Sequence, residues 1–216
     1  MKKMTSRERM MITLRNGQPD RVPVAPDISN MIPCRLTGKP FWEIYVNRNP
    51  PLWKAYLDAV KYLKIDGWFT YGDISYKTKS RNTYDINTLK YDDRWDVVKT
   101  IHTPEGDFVQ RIAHPVNNSP TSTEKIIKDI KNDFNKIKYL YPEITGFDPS
   151  TYYEQKRQLG EDGILAVSIG TPGLHLLSSL CDGNLEAATY AYYDYPDLVL
   201  ELFDMYERQA LQKLEI

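Results

Sequence analysis

The feature that most constrains this chain is the way short apolar runs alternate with helical patterns. Val22-Pro23-Val24-Ala25, Trp68-Phe69-Thr70-Tyr71-Gly72 and Ile164-Leu165-Ala166-Val167-Ser168-Ile169 each read as a short buried strand. Amphipathic segments separate them. Strands joined through helices pair in parallel, because a parallel connection needs a crossover of a dozen or more residues. The chain therefore reads as α/β, with three parallel strands, too few to close a barrel.

The helices announce themselves by their ends. Thr5-x-x-Glu8 fits a capping box, Met10 and Leu14 share a face, and Asn16-Gly17 is a stop. Pro51 opens a helix in which Leu52, Tyr56, Val60 and Leu63 recur at helical spacing, ended by Asp66-Gly67. Thr121-x-x-Glu124 fits a second capping box ahead of Ile127, Ile130, Phe134 and Ile137. Asp148-Pro149 starts a helix ending at Leu159-Gly160, Gly170-Thr171-Pro172-Gly173 turns into a helix holding His175, and Pro196-Asp197 opens the last one. Between the second and third strands, Arg94–His102 alternates, Thr103-Pro104-Glu105-Gly106-Asp107 turns, and Phe108–Ala113 returns. That is an inserted β-hairpin. The pattern predicts the start of a larger α/β barrel with this hairpin inserted and its C-terminal strands missing. Residues 1–216 are expected to be one domain, the N-terminal portion of a larger barrel.

Charge narrows the partners. Lys plus Arg is 28 and Asp plus Glu is 29, a net −1, which argues against a nucleic-acid partner held by phosphate neutralisation. No run approaches the roughly 18 apolar residues of a membrane span, and no apolar region follows the basic N-terminus as in a signal peptide. Cys34 and Cys181 show no metal-ligand spacing, so ordinary reduced thiols in a cytoplasmic protein are expected.

In a parallel α/β barrel, chemistry sits at the C-terminal ends of the strands. The first strand ends near Asp27, the second at Asp73, and the third runs toward His175, with Tyr71 and Arg35 nearby. Each has an alternative: Asp27 as an Asx turn, Asp73 as a turn or cap, His175 as a packing residue. His102 and His114, on the hairpin, read as solvated.

Several stretches together resemble the uroporphyrinogen decarboxylase superfamily, in particular its branch of corrinoid-dependent methyltransferases. They are Thr5–Arg9 through Gly17-Gln18-Pro19-Asp20-Arg21-Val22-Pro23-Val24, Thr103-Pro104-Glu105-Gly106, Gly170-Thr171-Pro172 and Tyr193-Asp194-Tyr195-Pro196-Asp197-Leu198-Val199. The resemblance covers the chain in order and implies a partial (β/α)8 TIM barrel with the inserted β-hairpin, missing its C-terminal strands. It places Asp73 at the carboxylate that gathers the pyrrole N–H groups of a tetrapyrrole, an acceptor-only group facing several donors. The decarboxylases' arginine-containing stretch after the first strand is replaced here by Ala25-Pro26-Asp27-Ile28-Ser29-Asn30, with no arginine until Arg35. The expected activity is therefore methyl transfer involving a corrinoid protein or a thiol. Asp73 would be catalytic, and Asp27, Arg35, Tyr71 and His175 would bind substrate. Uroporphyrinogen decarboxylation, with Arg35 as the clamp, and a non-catalytic fragment or binding module are the alternatives. The methyltransferase branch uses zinc bound by His and Cys, and the resemblance places those ligands beyond residue 216, with none among the residues read here. A homodimer is a further expectation.

Overall fold

The computed structural model describes residues 3–215, and of residues 69–71 the backbone alone. In chain order the elements are α1 (Ser6–Leu14), α2 (Met31–Leu36), α3 (Phe41–Tyr45), α4 (Leu52–Leu63), β1 (Gly67–Gly72), β2 (Ser75–Thr78), β3 (Thr83–Lys90), β4 (Arg94–Thr103) and β5 (Gly106–Pro115). There follow β6 (Thr121–Glu124), α5 (Ile130–Ile137), β7 (Ile144–Asp148), α6 (Ser150–Leu159), β8 (Gly163–Val167), α7 (Leu174–Leu180), α8 (Asn184–Asp194) and α9 (Pro196–Glu215). The protein is mixed α/β, and among the described residues the strands form no closed barrel. It divides into two compact units. One holds Met1–Ser75, Pro115–Ser119 and Asp148–Ser168. The other holds Tyr76–His114, Pro120–Phe147 and Ile169–Ile216.

The first unit is built on β1 and β8, which pair in parallel with Gly67 opposite Gly163 and Trp68 opposite Ile164. A Cβ on Gly163 would lie 2.1 Å from the Gly67 carbonyl oxygen, so the two strands meet there only because Gly163 lacks a side chain. The Thr5 capping box forms in full: the Glu8 N–H donates to the Thr5 hydroxyl, and the Thr5 N–H donates to the Glu8 carboxylate. α4 buries Ala55, Leu57, Ala59 and Val60, and Leu57 packs with Leu159 of α6 and Leu165 of β8. Cys34, Phe41 and Ile44 form a second small cluster that joins α2 to α3.

The foot of β1 is held by charge. Asp66 is fully buried and accepts bonds from Arg9 Nη1 (2.5 Å), Arg21 Nη1 (2.7 Å) and the Val24 N–H (2.8 Å). Arg9, itself buried, also grips Asp20 at 2.6 Å. A buried charge persists only when its partners and hydrogen bonds are complete, and this cluster meets that condition.

The second unit carries a four-stranded sheet in the order β3-β4-β5-β6 and a small β2-β7 sheet. Ile101 of β4 and Phe108 of β5 face a core completed by Ile130 and Ile137 of α5, Leu177 of α7, and Val199 and Leu202 of α9.

Several expectations are corrected. Val22–Ala25 forms no strand: Val22 is 79% and Val24 52% exposed, and Pro23 lacks a ladder donor. The Val24 peptide instead bonds Asp66, its N–H donating to the carboxylate and its carbonyl accepting from the Asp66 N–H. Thr121–Glu124 is strand β6 against β5, and α5 starts later, where Asp129 caps it by accepting from the Asn132 N–H. The inserted hairpin is the middle of a larger sheet. Leu14 is exposed, whereas Arg9 and Met10 are the buried positions of α1. His114 is buried, not solvated.

Candidate ligand cleft

In the first unit the parallel strands run toward a cleft of about 910 Å³. Gly72 and Asp73 line it where β1 ends, and Ser168 lines it just past β8. The remaining wall comes from α3 and the loop after it (Ile44, Tyr45, Arg48), the start of α4 (Leu52, Trp53) and the first turns of α6 (Ser150, Thr151, Glu154, Gln155).

The backbone at the strand end is fixed. Gln155 is 1% exposed, and its Oε1 accepts the Asp73 N–H at 2.9 Å. A Cβ on Gly72 would stand 2.8 Å from the Ala166 carbonyl oxygen of the neighbouring strand, so only glycine fits before Asp73. The Asp73 carboxylate is exposed, and the side-chain bonds in this region leave it unclaimed: it enters no ion pair among the described residues. Glu154 differs, because Arg157 (2.6 and 2.9 Å) and Gln158 (2.6 Å) hold its carboxyl below the usual range. Arg48 is the one cation among the described lining residues. It is exposed, on backbone at φ 53°. Tyr45 is pushed up to about 12 by burial, with the Cys34 thiol beside it, so its hydroxyl is a neutral group. Cys34 is likewise pushed up to about 11 by burial.

The cleft thus joins an apolar, aromatic wall (Trp53, Tyr45, Ile44, Leu52) to one uncommitted carboxylate. That combination suits a largely apolar ligand that presents N–H donors or positive charge to Asp73.

The other expected site residues lie elsewhere. Asp27 is exposed and its carboxylate accepts the Ser29 N–H at 2.7 Å, an Asx turn, and it does not line the cleft. Arg35 is exposed on α2 and does not line it either. The Tyr71 side chain lies outside the described residues. His175 belongs to the second unit, exposed at a pocket with Gly170, Thr171, Leu176, Ser179 and Tyr206. Gly170 sits at φ 106°, where any other residue would be strained, and a Cβ there would also press on the Tyr206 hydroxyl.

Gln155 and Arg48 escaped the sequence reading. Gln155 lies four residues before Leu159 on the same buried face of α6, and a polar residue at a core position of a helix is the signal that marks it. Arg48 had no such signal.

No group of three or more His, Cys, Asp or Glu side chains among the described residues could hold a metal ion. No described helix is long and apolar enough to cross a membrane. Comparisons with protein-family models, curated proteins and solved structures gave no match.

Proposed function

We propose that this chain forms the Asp73 side of the active-site mouth of a partial (β/α)8 barrel related to the uroporphyrinogen decarboxylase superfamily, and that it acts in methyl transfer involving a corrinoid or a thiol. The reading is carried by the exposed Asp73 carboxylate at the C-terminal end of β1, beside the parallel strand β8. That is where barrels of this class place their chemistry. The motif order in the sequence adds to it.

Charge favours methyl transfer over porphyrinogen decarboxylation. A substrate bearing many carboxylates needs bidentate cationic clamps. The described lining residues offer Asp73 and Glu154 against Arg48, and Arg35 stands outside the cleft. Within this proposal Asp73 accepts from a donor-bearing or cationic region of the ligand, Trp53 and Leu52 cover its apolar body, and Gln155 holds the Asp73 backbone in place.

The test is a titration of the purified protein with methylcobalamin, followed by tryptophan fluorescence, with uroporphyrinogen turnover assayed in parallel. Saturable methylcobalamin binding that weakens about tenfold or more in Asp73→Asn supports the proposal. Uroporphyrinogen turnover lost in Asp73→Asn would replace it with decarboxylation. Absence of both activities sinks the tetrapyrrole reading.

A further inference from the structure

The cleft of the first unit is lined by two charged side chains of opposite sign that the protein itself leaves unused. Asp73 stands exposed at the end of β1, and Arg48 stands exposed on the loop between α3 and α4. Neither side chain enters a hydrogen bond or ion pair among the described residues, and the two do not pair with each other. The third charge of the wall, Glu154, is already answered by Arg157 and Gln158.

Both unused groups stand on pinned backbone. The Asp73 N–H donates to Gln155 Oε1 at 2.9 Å. Around Arg48 the loop closes on α3. The Asn47 N–H donates to the Trp42 carbonyl at 3.2 Å, and the Asn49 N–H donates to the Glu43 carbonyl at 2.8 Å. The Asn47 amide also donates to the Glu43 carboxylate at 2.9 Å, and Lys39 Nζ adds bonds to Asn49 at 3.0 and 3.2 Å. These ties hold Arg48 at φ 53°, a left-handed conformation that an arginine seldom takes. Such backbone persists where its surroundings fix it, and it gathers at ligand clamps.

Charge balance then selects the ligand. With Glu154 answered, the described lining offers one free negative and one free positive group. A cation alone strips water from Arg48 without giving it a partner, and an anion alone does the same to Asp73. A phosphate monoester brings nearly two negative charges against one guanidinium, and the surplus meets Asp73. One ammonium and one carboxylate on the same molecule satisfy both groups. The ammonium supplies donors to an acceptor-only carboxylate, and the guanidinium fork matches a carboxylate in shape. We propose that the cleft binds a small zwitterion, with its ammonium on Asp73, its carboxylate on Arg48 and its apolar chain against Trp53 and Leu52. The inference rests on the proposed reading of this cleft as a methyl-transfer site, and it adds the charge type of the small molecule taken there.

The test is an NMR titration of the full chain, read at the Trp53 indole N–H. Three series of unbranched ligands of about four to eight carbons are compared at matched length: ω-aminocarboxylates, amines and carboxylates. An aminocarboxylate binds about fivefold or more tightly than the amine and the acid of its length, the factor that one exposed charge pair supplies. Arg48→Asn, which adopts a left-handed φ readily, lowers the aminocarboxylate to the level of the amine and does not weaken the amine. Asp73→Asn lowers it to the level of the acid and does not weaken the acid. Circular dichroism confirms that both variants are folded, and the wild-type ranking needs neither. Equal binding of the three series, a preference for the amine or the acid, no saturable binding by any of them, or equal losses of amine and aminocarboxylate in Arg48→Asn would each overturn the inference. Methylcobalamin binding without the zwitterion preference overturns this inference and leaves the corrinoid reading standing. The zwitterion preference without methylcobalamin binding does the opposite.

Discussion

Replacing Asp66 with Asn removes one charge and little volume from the foot of β1. Asp66 is fully buried, and its carboxylate takes Arg9 Nη1 at 2.5 Å, Arg21 at 2.7 and 3.2 Å, and the Val24 N–H at 2.8 Å. The two arginines are unequal. The Arg9 side chain is 4% exposed, whereas that of Arg21 is 46% exposed and can return its guanidinium to water. In Asp66→Asn, Arg9 keeps Asp20 but faces a neutral amide where a carboxylate stood. Breaking a buried pair from one side costs about 3–5 kcal/mol, because the remaining charge stays desolvated. Asp20 offsets part of this, so the lower half of that range, about 3 kcal/mol, is expected. Arg21→Ala should cost about 1 kcal/mol or less. The assay is urea unfolding at pH 7, read as a midpoint shift at constant slope. A loss below about 1 kcal/mol in Asp66→Asn, or equal losses in both variants, would refute the claim that burial of the Arg9–Asp66 pair, not the number of its contacts, sets the cost. The same network gives a pH signature. Asp66 is held below the usual carboxylate range by the Val24 N–H and its side-chain partners, which outweigh burial, and Asp20 is held low by Arg9. A depressed folded value means that the stability is present above the unfolded value near about 4 and is lost as pH falls through the folded one. Wild type should weaken below about pH 4, and Asp66→Asn less steeply.

Two histidines should have pKa values shifted in opposite directions. His102 lies between Asp85 (3.0 Å) and Asp107 (2.9 Å), which raise its pKa, so its contribution is full below about pH 6.5 and fades as pH rises through the raised value. His114 is lowered by burial, so its contribution fades instead as pH falls; ring-proton NMR titration reads both, and a shared midpoint would refute the assignment. Cys34 and Cys181, both buried and pushed up to about 11, should react with an aromatic disulfide reagent at pH 8 only after denaturation; prompt labelling of either in native protein would contradict the packing. Gly72→Ala should destabilise the protein by about 1–3 kcal/mol in urea unfolding, because its Cβ would press on the Ala166 carbonyl oxygen, which belongs to backbone.

What the sequence showed, it showed where local chemistry decides. The Thr5-x-x-Glu8 box and the Thr103–Asp107 turn carry their structure within a few residues, and both are found where read, whereas the Ile164–Ile169 run forms strand β8 only as far as Val167, with Ser168 exposed beyond it. Val22–Ala25 misled because an apolar run reports preference for burial and not its fulfilment; Asp66, far away in sequence, claims the Val24 peptide. Thr121–Glu124 has the letters of a capping box, yet pairing with β5 prevails over a local cap in a segment rich in β-branched residues. Helices α2 and α3 are too short for periodicity to register. Asp73 was legible because strand ends are legible. Its cleft was not, since Arg48, Trp53 and Gln155 reach it from three separate segments.

Strand β1 is tied at both ends, and the two ties differ in kind. At Asp66 the side chain does the tying: the carboxylate is buried and every bond it accepts belongs to structure. At Asp73 the backbone is tied, through its N–H to the buried amide of Gln155, and the side chain stays exposed at the cleft. This division leads to a separation of effects. Asp73→Asn keeps the N–H and the bond to Gln155, and an exposed substitution of this kind shifts stability by about 0.5 kcal/mol or less. Gln155→Leu leaves the Asp73 N–H without its acceptor and costs about 1–3 kcal/mol. It also frees the strand end that aims the carboxylate. Measured together by urea unfolding and methylcobalamin titration, Asp73→Asn should lose binding with stability intact, whereas Gln155→Leu should lose both. If Asp73→Asn proved as destabilising as Gln155→Leu, the Asp73 carboxylate would be holding structure, and the cleft would no longer have a free acceptor to offer a ligand.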